Sequence, residues 1–336
     1  MKNVLPYLFL FVCTPAYSQV IFQDNFNSSA DWTVAQGATS TCCRSCTSDG
    51  TCASYPPNWD GYYNGGSYCS DPGHNNFYIS STNPRGSGKS LTFWDESCTQ
   101  DFGNSDAQVG KSLGAVYSEV WIQYYIKFQY PFHWEVMANG DGGGHKWFHL
   151  QYHEGTSTPW NYFGNPANMP IGVPGIHTYY DHVYYYSAYR CEINYYCQGT
   201  PSYQFDVGTD MDHVDLGTWS SVFGDNNWHK VEFYYKMNTS AGATFHADGI
   251  HRFWLDGVLK YESTNIPFSD NGSQQSPRRG FNFFAIGGNN SNYWNQSCNG
   301  TACEQWYAID DLVLSQTRYT GGGTAPANPT NLRINH

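Results

Sequence analysis

The chain has 336 residues, with 16 Lys and Arg against 28 Asp and Glu, which gives a formal net charge of −12. This acidic balance argues against a nucleic-acid partner, because binding a phosphate backbone requires a basic surface. The 28 Tyr and 12 Trp are typical of β-sheet proteins, and their rings also stack on sugar faces.

The first 18 residues have the features of a secretory signal peptide. Lys2 gives a positive start, Val4 to Val12 form an apolar run, and Ala16-Tyr17-Ser18 places small residues before a cleavage point at Gln19. The run is too short to span a membrane. We therefore expect a secreted mature protein with no membrane span.

Ten cysteines follow the predicted cleavage point, and an even number in an exported protein predicts disulfides. We expect Cys191–Cys197 and Cys298–Cys303, each closing a short loop. The pairing of the other six stays open: Cys42, Cys43, Cys46, Cys52, Cys69 and Cys98. A zinc cluster around the first four of these lacks the usual paired spacing.

Alternation of apolar and polar residues predicts strands along much of the chain. The predicted strands are Val20–Phe26, Ser90–Trp94, Glu119–Phe128, His145–His153, His182–Arg190, Trp228–Lys236, Arg252–Leu255, Val258–Tyr261, Phe281–Ile286 and Tyr307–Leu314. Asp256-Gly257 predicts a tight hairpin turn. Residues 140–144 predict a glycine-rich turn, and 155–178 predict a long loop.

These elements predict an all-β fold, an antiparallel β-sandwich or jelly roll, with the first and last strands adjacent. We expect this domain to cover residues 19–320, with disulfide-pinned loops in its N-terminal third. Residues 321–336 are rich in Gly, Pro, Thr and Asn and predict a flexible, linker-like tail.

The segment His145–His153 has an unusual polar face. With period two, Phe148, Leu150 and Tyr152 form an apolar set, while the opposite set is Trp147, His149, Gln151 and His153. Imidazoles and amides can bind sugars and move protons. A zinc site at the two histidines is disfavoured, because residues four apart on a strand lie roughly 13 Å from each other.

Both ends of the chain resemble concanavalin A-like lectin/glucanase sandwiches, through Phe22-Gln23-Asp24-Asn25-Phe26 and Ala308-Ile309-Asp310-Asp311-Leu312. The central order resembles exported alginate and glucuronan lyases of families 14 and 20 in the runs Gln123–Phe128, Gly143–Lys146, Trp254–Gly257 and Phe283–Gly288. Gln151-Tyr152-His153 resembles the Gln-x-His motif of family 7 alginate lyases. The Leu-Pro-Gly turn that follows the lysine in family 14 is missing here.

The resemblance implies a jelly roll whose concave sheet binds a polysaccharide and whose chemistry requires no cofactor. It also implies a possible structural calcium ion near the paired terminal strands. Asp24 and Asp311 offer the hard oxygen ligands that calcium prefers. The sequence names neither the polysaccharide nor the oligomeric state.

β-Elimination at a uronate requires a base, an acid and groups that neutralise the carboxylate. The candidate catalytic residues are His149, His153, Tyr184, Tyr186 and Lys146. The candidate substrate-binding residues are Gln151, Arg190, Trp147 and His182. Lys146 is an alternative base, since alternation places it on the face opposite His149 unless the strand starts with a bulge.

Two other functions stay open. A non-catalytic, lectin-like carbohydrate-binding protein fits the same composition, because a fold alone does not set function. A glycoside hydrolase needs two carboxylates flanking the bond, and none of the eight Glu forms the strand motif of lectin/glucanase hydrolases. Asp210, Asp212 and Asp215 cluster in a segment predicted to be a loop.

Overall fold

Two antiparallel β-sheets packed face to face form most of the structure in the computed structural model. The structure describes residues 19–28, 30–33, 44–46, 56–66, 77–95, 104–134, 140–152, 170–189, 214–241, 244–246, 248–266, 268, 280–292 and 305–320. This architecture confirms the predicted all-β sandwich.

Sheet I contains the first and the last of the described strands. Its strands are β1 (Val20–Asp24), β2 (Trp32–Thr33), β5 (Phe77–Ser80), β6 (Ser90–Asp95), β8 (Glu119–Phe128), β14 (His229–Lys236), β17 (Gly249–Leu255), β18 (Val258–Ile266) and β20 (Gln305–Ser315). Their order is β18-β17-β14-β8-β20-β6-β5-β2, with β1 also paired to β20.

Sheet II carries the histidine-rich segment. Its strands are β3 (Arg44–Cys46), β4 (Gly61–Gly66), β7 (Asn104–Tyr117), β9 (Asp141–Lys146), β10 (Phe148–Gln151), β11 (Pro170–Tyr179), β12 (His182–Tyr189), β13 (Val214–Thr218) and β19 (Phe281–Asn292). The order is β13-β12-β11-β10-β19-β7-β4-β3, and β9 pairs with both β11 and β19. A short helix, α1 (Trp219–Val222), follows β13, and β15 (Ser240–Ala241) pairs with β16 (Thr244–Phe245).

Aromatic rings fill the space between the sheets. Phe148 of sheet II meets Phe233 of sheet I with ring centroids 4.9 Å apart, and Tyr185 stacks on Phe253 at 4.1 Å. The inward positions come from strict alternation, which in β8 buries every second residue from Val120 to Phe128. Buried aromatic pairs of this geometry stabilise the fold beyond their buried area.

Two predicted features of the sandwich are confirmed. The first strand pairs with the last, with Asp24 opposite Leu312. Asp256 and Gly257 form the turn between β17 and β18, and both have positive φ, 49° and 80°. Both central residues of a type I′ hairpin turn require this conformation.

Three segments predicted to be irregular contain strands instead. Residues 141–144, predicted as part of a turn, belong to β9, and residues 170–178, predicted as loop, belong to β11. Asp215, predicted to lie in a loop, belongs to β13. The glycines of β11 serve close packing: a Cβ on Gly172 would lie 2.7 Å from the Tyr235 ring, and one on Gly175 would lie 2.2 Å from the His145 carbonyl oxygen. The glycine content of this segment thus predicts irregular structure, whereas in the fold these glycines let a neighbouring strand and an aromatic ring approach the backbone closely.

Candidate active site

A bulge at Trp147 lies between β9 and β10 of sheet II. Lys146 pairs with Gly175 of β11 and Leu150 pairs with Gly172, so four residue steps on one strand face three on its neighbour. The amide of Trp147 donates to the carbonyl oxygen of Pro174 at 2.9 Å. A strand with one extra residue changes the face to which its following side chains point.

Both residues at the bulge point into the core. The Trp147 ring lies 5.7 Å from that of Phe253, and the next residue, Phe148, lies 4.9 Å from Phe233. Two consecutive inward side chains reset the alternation. Lys146 before the bulge and His149 after it therefore share the outward face of sheet II.

Gly288 of β19 confirms that these two side chains are neighbours. A Cβ built on Gly288 would lie 2.6 Å from the Cβ of Lys146 and 3.4 Å from Nε2 of His149. Gln151 lies on the same face, because its partner Phe283 packs with Ala285 in a small cluster apart from the main core. The lysine and histidine are thus placed together, where strict alternation would have separated them.

Five side chains on this outward face form what we call the outward cluster: Gln108, Lys146, His149, Gln151 and Tyr186. Although they lie outside the core, Gln151 is fully buried, and His149, Gln108 and Tyr186 are 5–6% exposed. The cluster is recessed rather than spread on a solvated surface. Recessed polar groups interact more strongly than groups in open water.

Gln108 of β7 reaches His149 from two strands away. Its Nε2 lies 3.4 Å from Nε2 of His149, within hydrogen-bonding range. An amide can either donate to or accept from an imidazole nitrogen, according to the tautomer of the ring. Gln108 is therefore in a position to influence the proton on His149.

Tyr186 approaches Lys146 over a glycine. Tyr186 pairs with Gly175, which in turn pairs with Lys146. A Cβ on Gly175 would lie 2.7 Å from the Tyr186 hydroxyl, so the phenol lies across this glycine. A side chain at position 175 would push the hydroxyl away from the cluster.

A second polar group lies at the edge of the same face, on β12 and β13. His182 Nδ1 lies 2.9 Å from a carboxylate oxygen of Asp215, and the His182 ring centroid lies 6.3 Å from that of Tyr184. The hydrogen bond with Asp215 raises the pKa of His182. Desolvation acts to raise the pKa of Asp215, but the bonds from His182 and Gly217 outweigh it and lower that pKa. We call His182 and Asp215 the rim pair.

Desolvation, followed by the nearby charge of Asp215, raises the pKa of Tyr184. His177 of β11, which pairs with Tyr184, is 8% exposed and lies close to Gly144. His177, His182 and Tyr184 therefore form a second group of imidazoles and a phenol beside the outward cluster.

The structure places six of the predicted site residues on the outward face: His149, Gln151, Lys146, Tyr184, Tyr186 and His182. The prediction that Trp147 binds substrate on this face is wrong. The bulge turns its ring into the core, where it contacts Tyr185 and Phe253. His153 and Arg190 lie outside the described residues, as do Cys191–Cys197 and Cys298–Cys303. Those two disulfides stay predictions.

Two residues of the site were missed in the sequence. Gln108 stands between the core residues Ala107 and Val109, so alternation alone would have placed it on the outward face. His177 stands in a segment whose prolines and glycines predicted a loop. Asp215 was considered only as part of a possible hydrolase cluster, and its role beside His182 required the β12–β13 pairing.

The two predicted calcium ligands have other partners. The carboxylate of Asp24 accepts from the amide of Phe26 at 2.8 Å and from the indole of Trp59 at 2.9 Å, and burial raises its pKa to about 6. Asp311 forms an ion pair with Arg85. These contacts do not favour calcium at the two residues, and the ion stays a prediction.

Within the described part of the chain, no group of three or more His, Cys, Asp or Glu is arranged to hold a metal ion. No helix in that part is long and apolar enough to cross a membrane.

No protein-family model and no curated protein matches the sequence. Among solved structures, the chain is similar to an endo-β-1,4-glucuronan lyase from the fungus Trichoderma reesei, at 15% identity and a TM-score of 0.47, covering 78% of this chain and 93% of that one. It is similar to a mutant of the alginate lyase Aly36B in complex with an alginate tetrasaccharide, at 17% identity and 0.49, covering 88% and 96%.

A third similar structure is a mutant of an endo-β-1,3(4)-glucanase from family GH16, at 10% identity and a TM-score of 0.43, covering 90% of this chain and 96% of that one. At these identities and TM-scores the similarities assign no activity to this chain.

Proposed function

We propose that the protein is a secreted polysaccharide lyase that cleaves a uronate-containing polysaccharide by β-elimination. The observation that carries the proposal is the bulge at Trp147, because it brings Lys146 to the same recessed face as His149, Gln151 and Tyr186. Amine, imidazole, amide and phenol are the groups that β-elimination needs.

The proposed roles follow from the chemistry of each group. Lys146 and Gln151 bind the uronate carboxylate, which makes the proton on the adjacent carbon more acidic. His149 removes that proton as general base. The electron pair forms a carbon–carbon double bond while the bond to the glycosidic oxygen breaks, and Tyr186 donates a proton to the leaving oxygen.

The composition of the outward cluster separates this proposal from glycoside hydrolysis. The usual hydrolytic mechanism requires a pair of carboxylates, one on each side of the bond. The outward cluster, as the described residues define it, contains no carboxylate. Asp215 on the rim is engaged by His182.

The direct test is to incubate the mature protein with uronate polysaccharides and to follow the ultraviolet absorbance of an unsaturated product. Polyguluronate, polymannuronate and polyglucuronate are the first substrates to compare. His149→Ala should lower the rate by ~10²–10⁴, the usual contribution of a general base. His246→Ala is the matched control, because His246 is exposed and lies on a different part of the chain.

Lys146→Arg and Lys146→Met test the proposed role of the lysine. Arg keeps the positive charge but cannot act as a base near neutral pH. We therefore expect Lys146→Arg to retain measurable activity and Lys146→Met to lose most of it. An inactive Lys146→Arg that still binds substrate would make Lys146 the base instead of His149.

If the parent forms no unsaturated product from any uronate polymer, the lyase proposal is wrong. Glycan binding that is lost in His149→Ala and Lys146→Met would then identify a lectin-like protein that uses the same face.

A further inference from the structure

The contact between Gln108 and His149 depends on small residues in the strand between them. β19 lies between β7 and β10, so the two backbones are roughly 10 Å apart. On β19, Ala285 pairs with His149, and Gly288 lies beside its ring. These two positions leave the space in which an amide and an imidazole meet.

A neutral imidazole has one nitrogen that donates and one that accepts, and its surroundings select which is which. The carbonyl oxygen and the nitrogen of a glutamine amide exchange places when the amide turns by half a rotation. With the oxygen toward His149, Gln108 accepts from Nε2–H, and the lone pair is then on Nδ1. With the nitrogen toward it, which is the orientation of the 3.4 Å contact in the structure, Gln108 donates and uses the lone pair of Nε2. A half rotation of the amide is therefore needed before Nδ1 can carry the lone pair.

We propose that Gln108 is a positioning residue for His149, and that its amide oxygen holds the ring in the Nε2–H tautomer. This inference rests on the proposed function, in which His149 removes the substrate proton. Only the Nε2–H tautomer combines the contact to Gln108 with a lone pair on Nδ1 that can take that proton. Gln108 itself touches no reacting atom in this arrangement.

The charged and titratable groups around His149 are few among the described residues. Lys146 of β9 lies beside it, and His177, Tyr184 and Tyr186 lie on β11 and β12 of the same face. At Ala285, Gly288 and Gln108, the positions that face His149 from β19 and β7, the side chains are uncharged. A carboxylate introduced at position 108 would therefore be the nearest new charge to the ring.

Ring-nitrogen NMR of His149 tests the inference without any substrate. The parent should show the Nε2–H pattern. Gln108→Leu should move the two ring nitrogens toward a mixture of tautomers. Gln108→Glu should raise the His149 pKa by about one unit, because a neighbouring carboxylate favours imidazolium. Gln316→Leu, on the terminal segment after β20, is the matched control and should change neither quantity.

Kinetics give a second test. We expect Gln108→Leu to lower kcat by roughly tenfold, a part of the ~10²–10⁴ that a general base contributes, with little change in KM. Gln108→Glu should keep more activity, with the lower-pH limb of kcat/KM moved in parallel with the His149 pKa. Gln108→Glu preserves the side-chain volume, so it stays informative if Gln108→Leu does not fold.

An unchanged tautomer in Gln108→Leu, or an unchanged His149 pKa in Gln108→Glu, would overturn the inference. The proposed function fails separately, if the parent cleaves no uronate polymer although the His149 signals respond to Gln108 as expected.

Discussion

The two outer faces of the sandwich use similar residue types in different arrangements. On sheet I, Trp121 lies 4.6 Å from Tyr234 and 5.2 Å from Trp254, as measured between ring centroids. Arg318 lies 4.9 Å above the Trp254 ring and makes two hydrogen bonds to Glu232. The aromatic and charged groups of this face satisfy one another.

On sheet II, the outward cluster gathers an amine, an imidazole, two amides and a phenol in a recessed place. The two faces differ in what their polar groups contact: on sheet I they pair with one another, and on sheet II they converge on one recessed place. Stacked rings and matched charges contribute stability, whereas proton-carrying groups held together away from solvent suit catalysis. Parallel substitutions on the two faces should therefore have opposite consequences.

The largest contrast is expected between two tyrosines. Tyr186→Phe removes the proposed acid of sheet II and should lower kcat by roughly 10²-fold or more, with little change in stability. Tyr234→Phe removes a hydroxyl that donates to Glu119 at 2.6 Å on sheet I. It should leave turnover unchanged and cost about 1 kcal/mol of stability. Steady-state kinetics and denaturant unfolding of both variants measure the contrast.

Equal loss of activity in both tyrosine variants would mean that the faces do not divide as proposed. Retained activity in Tyr186→Phe would assign the acid to another residue, with Tyr184 on the same strand as the next candidate.

On the outer face of sheet I, Arg318→Ala should cost more stability than Tyr234→Phe. Its guanidinium pairs with Glu232, which is almost fully buried, and covers Trp254. Lys230 remains 3.3 Å from the same carboxylate and compensates in part. We expect a loss of about 1–3 kcal/mol, with kcat and KM unchanged. Arg318→Lys is the control that keeps the charge but not the planar stacking.

If Arg318→Ala instead lowers kcat while unfolding at the same denaturant concentration as the parent, sheet I participates in function. That result would contradict the division between the two faces.

The sandwich itself was predictable because its long strands are either alternating or continuously apolar. β8 alternates from end to end, whereas β14 and β20 are buried along most of their length. The Asp256-Gly257 turn has few alternatives. β9 and β11 were mistaken for a turn and a loop because they contain glycine and proline, which usually mark turns and loops. At Gly172 and Gly175 the glycines are instead required by side chains and backbone from other strands, which local composition does not reveal.

The site was predictable only up to the bulge. Alternation correctly placed His149 and Gln151 together but assigned Lys146 and Trp147 to the wrong faces. The one local sign is that two large apolar residues, Trp147 and Phe148, are adjacent where a polar residue was due. The register against β11, which creates the extra residue, depends on a strand far along the chain and is not written in the segment itself.

His251, in the core between the two sheets, should have a smaller and pH-dependent effect on stability. His251 is fully buried, its Nε2 lies 2.9 Å from the Tyr185 hydroxyl, and burial lowers its pKa well below the usual 6.5. As the pH falls below about 6.5, the unfolded state takes up a proton that the folded state resists. Stability contributed by neutral His251 is thus present above pH 6.5 and is lost below it, by up to about 1.4 kcal/mol per pH unit.

Two buried carboxyls act in the opposite direction. Burial raises the pKa of Asp310 to about 7 and that of Asp24 to about 6, so the folded state binds these protons first as the pH falls toward 4. Comparing the parent with His251→Gln isolates the histidine, because both proteins keep the carboxyls. The difference in Tm between them should shrink or change sign from pH 7.5 to 5.5. A constant difference would mean that His251 is not held neutral.

The smallest effect is expected at the rim pair, which tests whether the active face extends beyond the outward cluster. His182 and Asp215 are partly exposed and 2.9 Å apart, so protonated His182 offsets the charge of the carboxylate. His182→Gln leaves Asp215 without that offset and should repel an anionic polysaccharide. We expect KM to rise roughly two- to fivefold at low salt and less at 0.15 M, because exposed charges are screened.

The double variant His182→Gln/Asp215→Asn should recover the parent KM, since it removes both charges. The value of kcat should stay unchanged in both variants. A fall in kcat for His182→Gln that the double variant does not restore would instead place His182 in the chemical step. The catalytic residues would then reach from the outward cluster to the edge of sheet II.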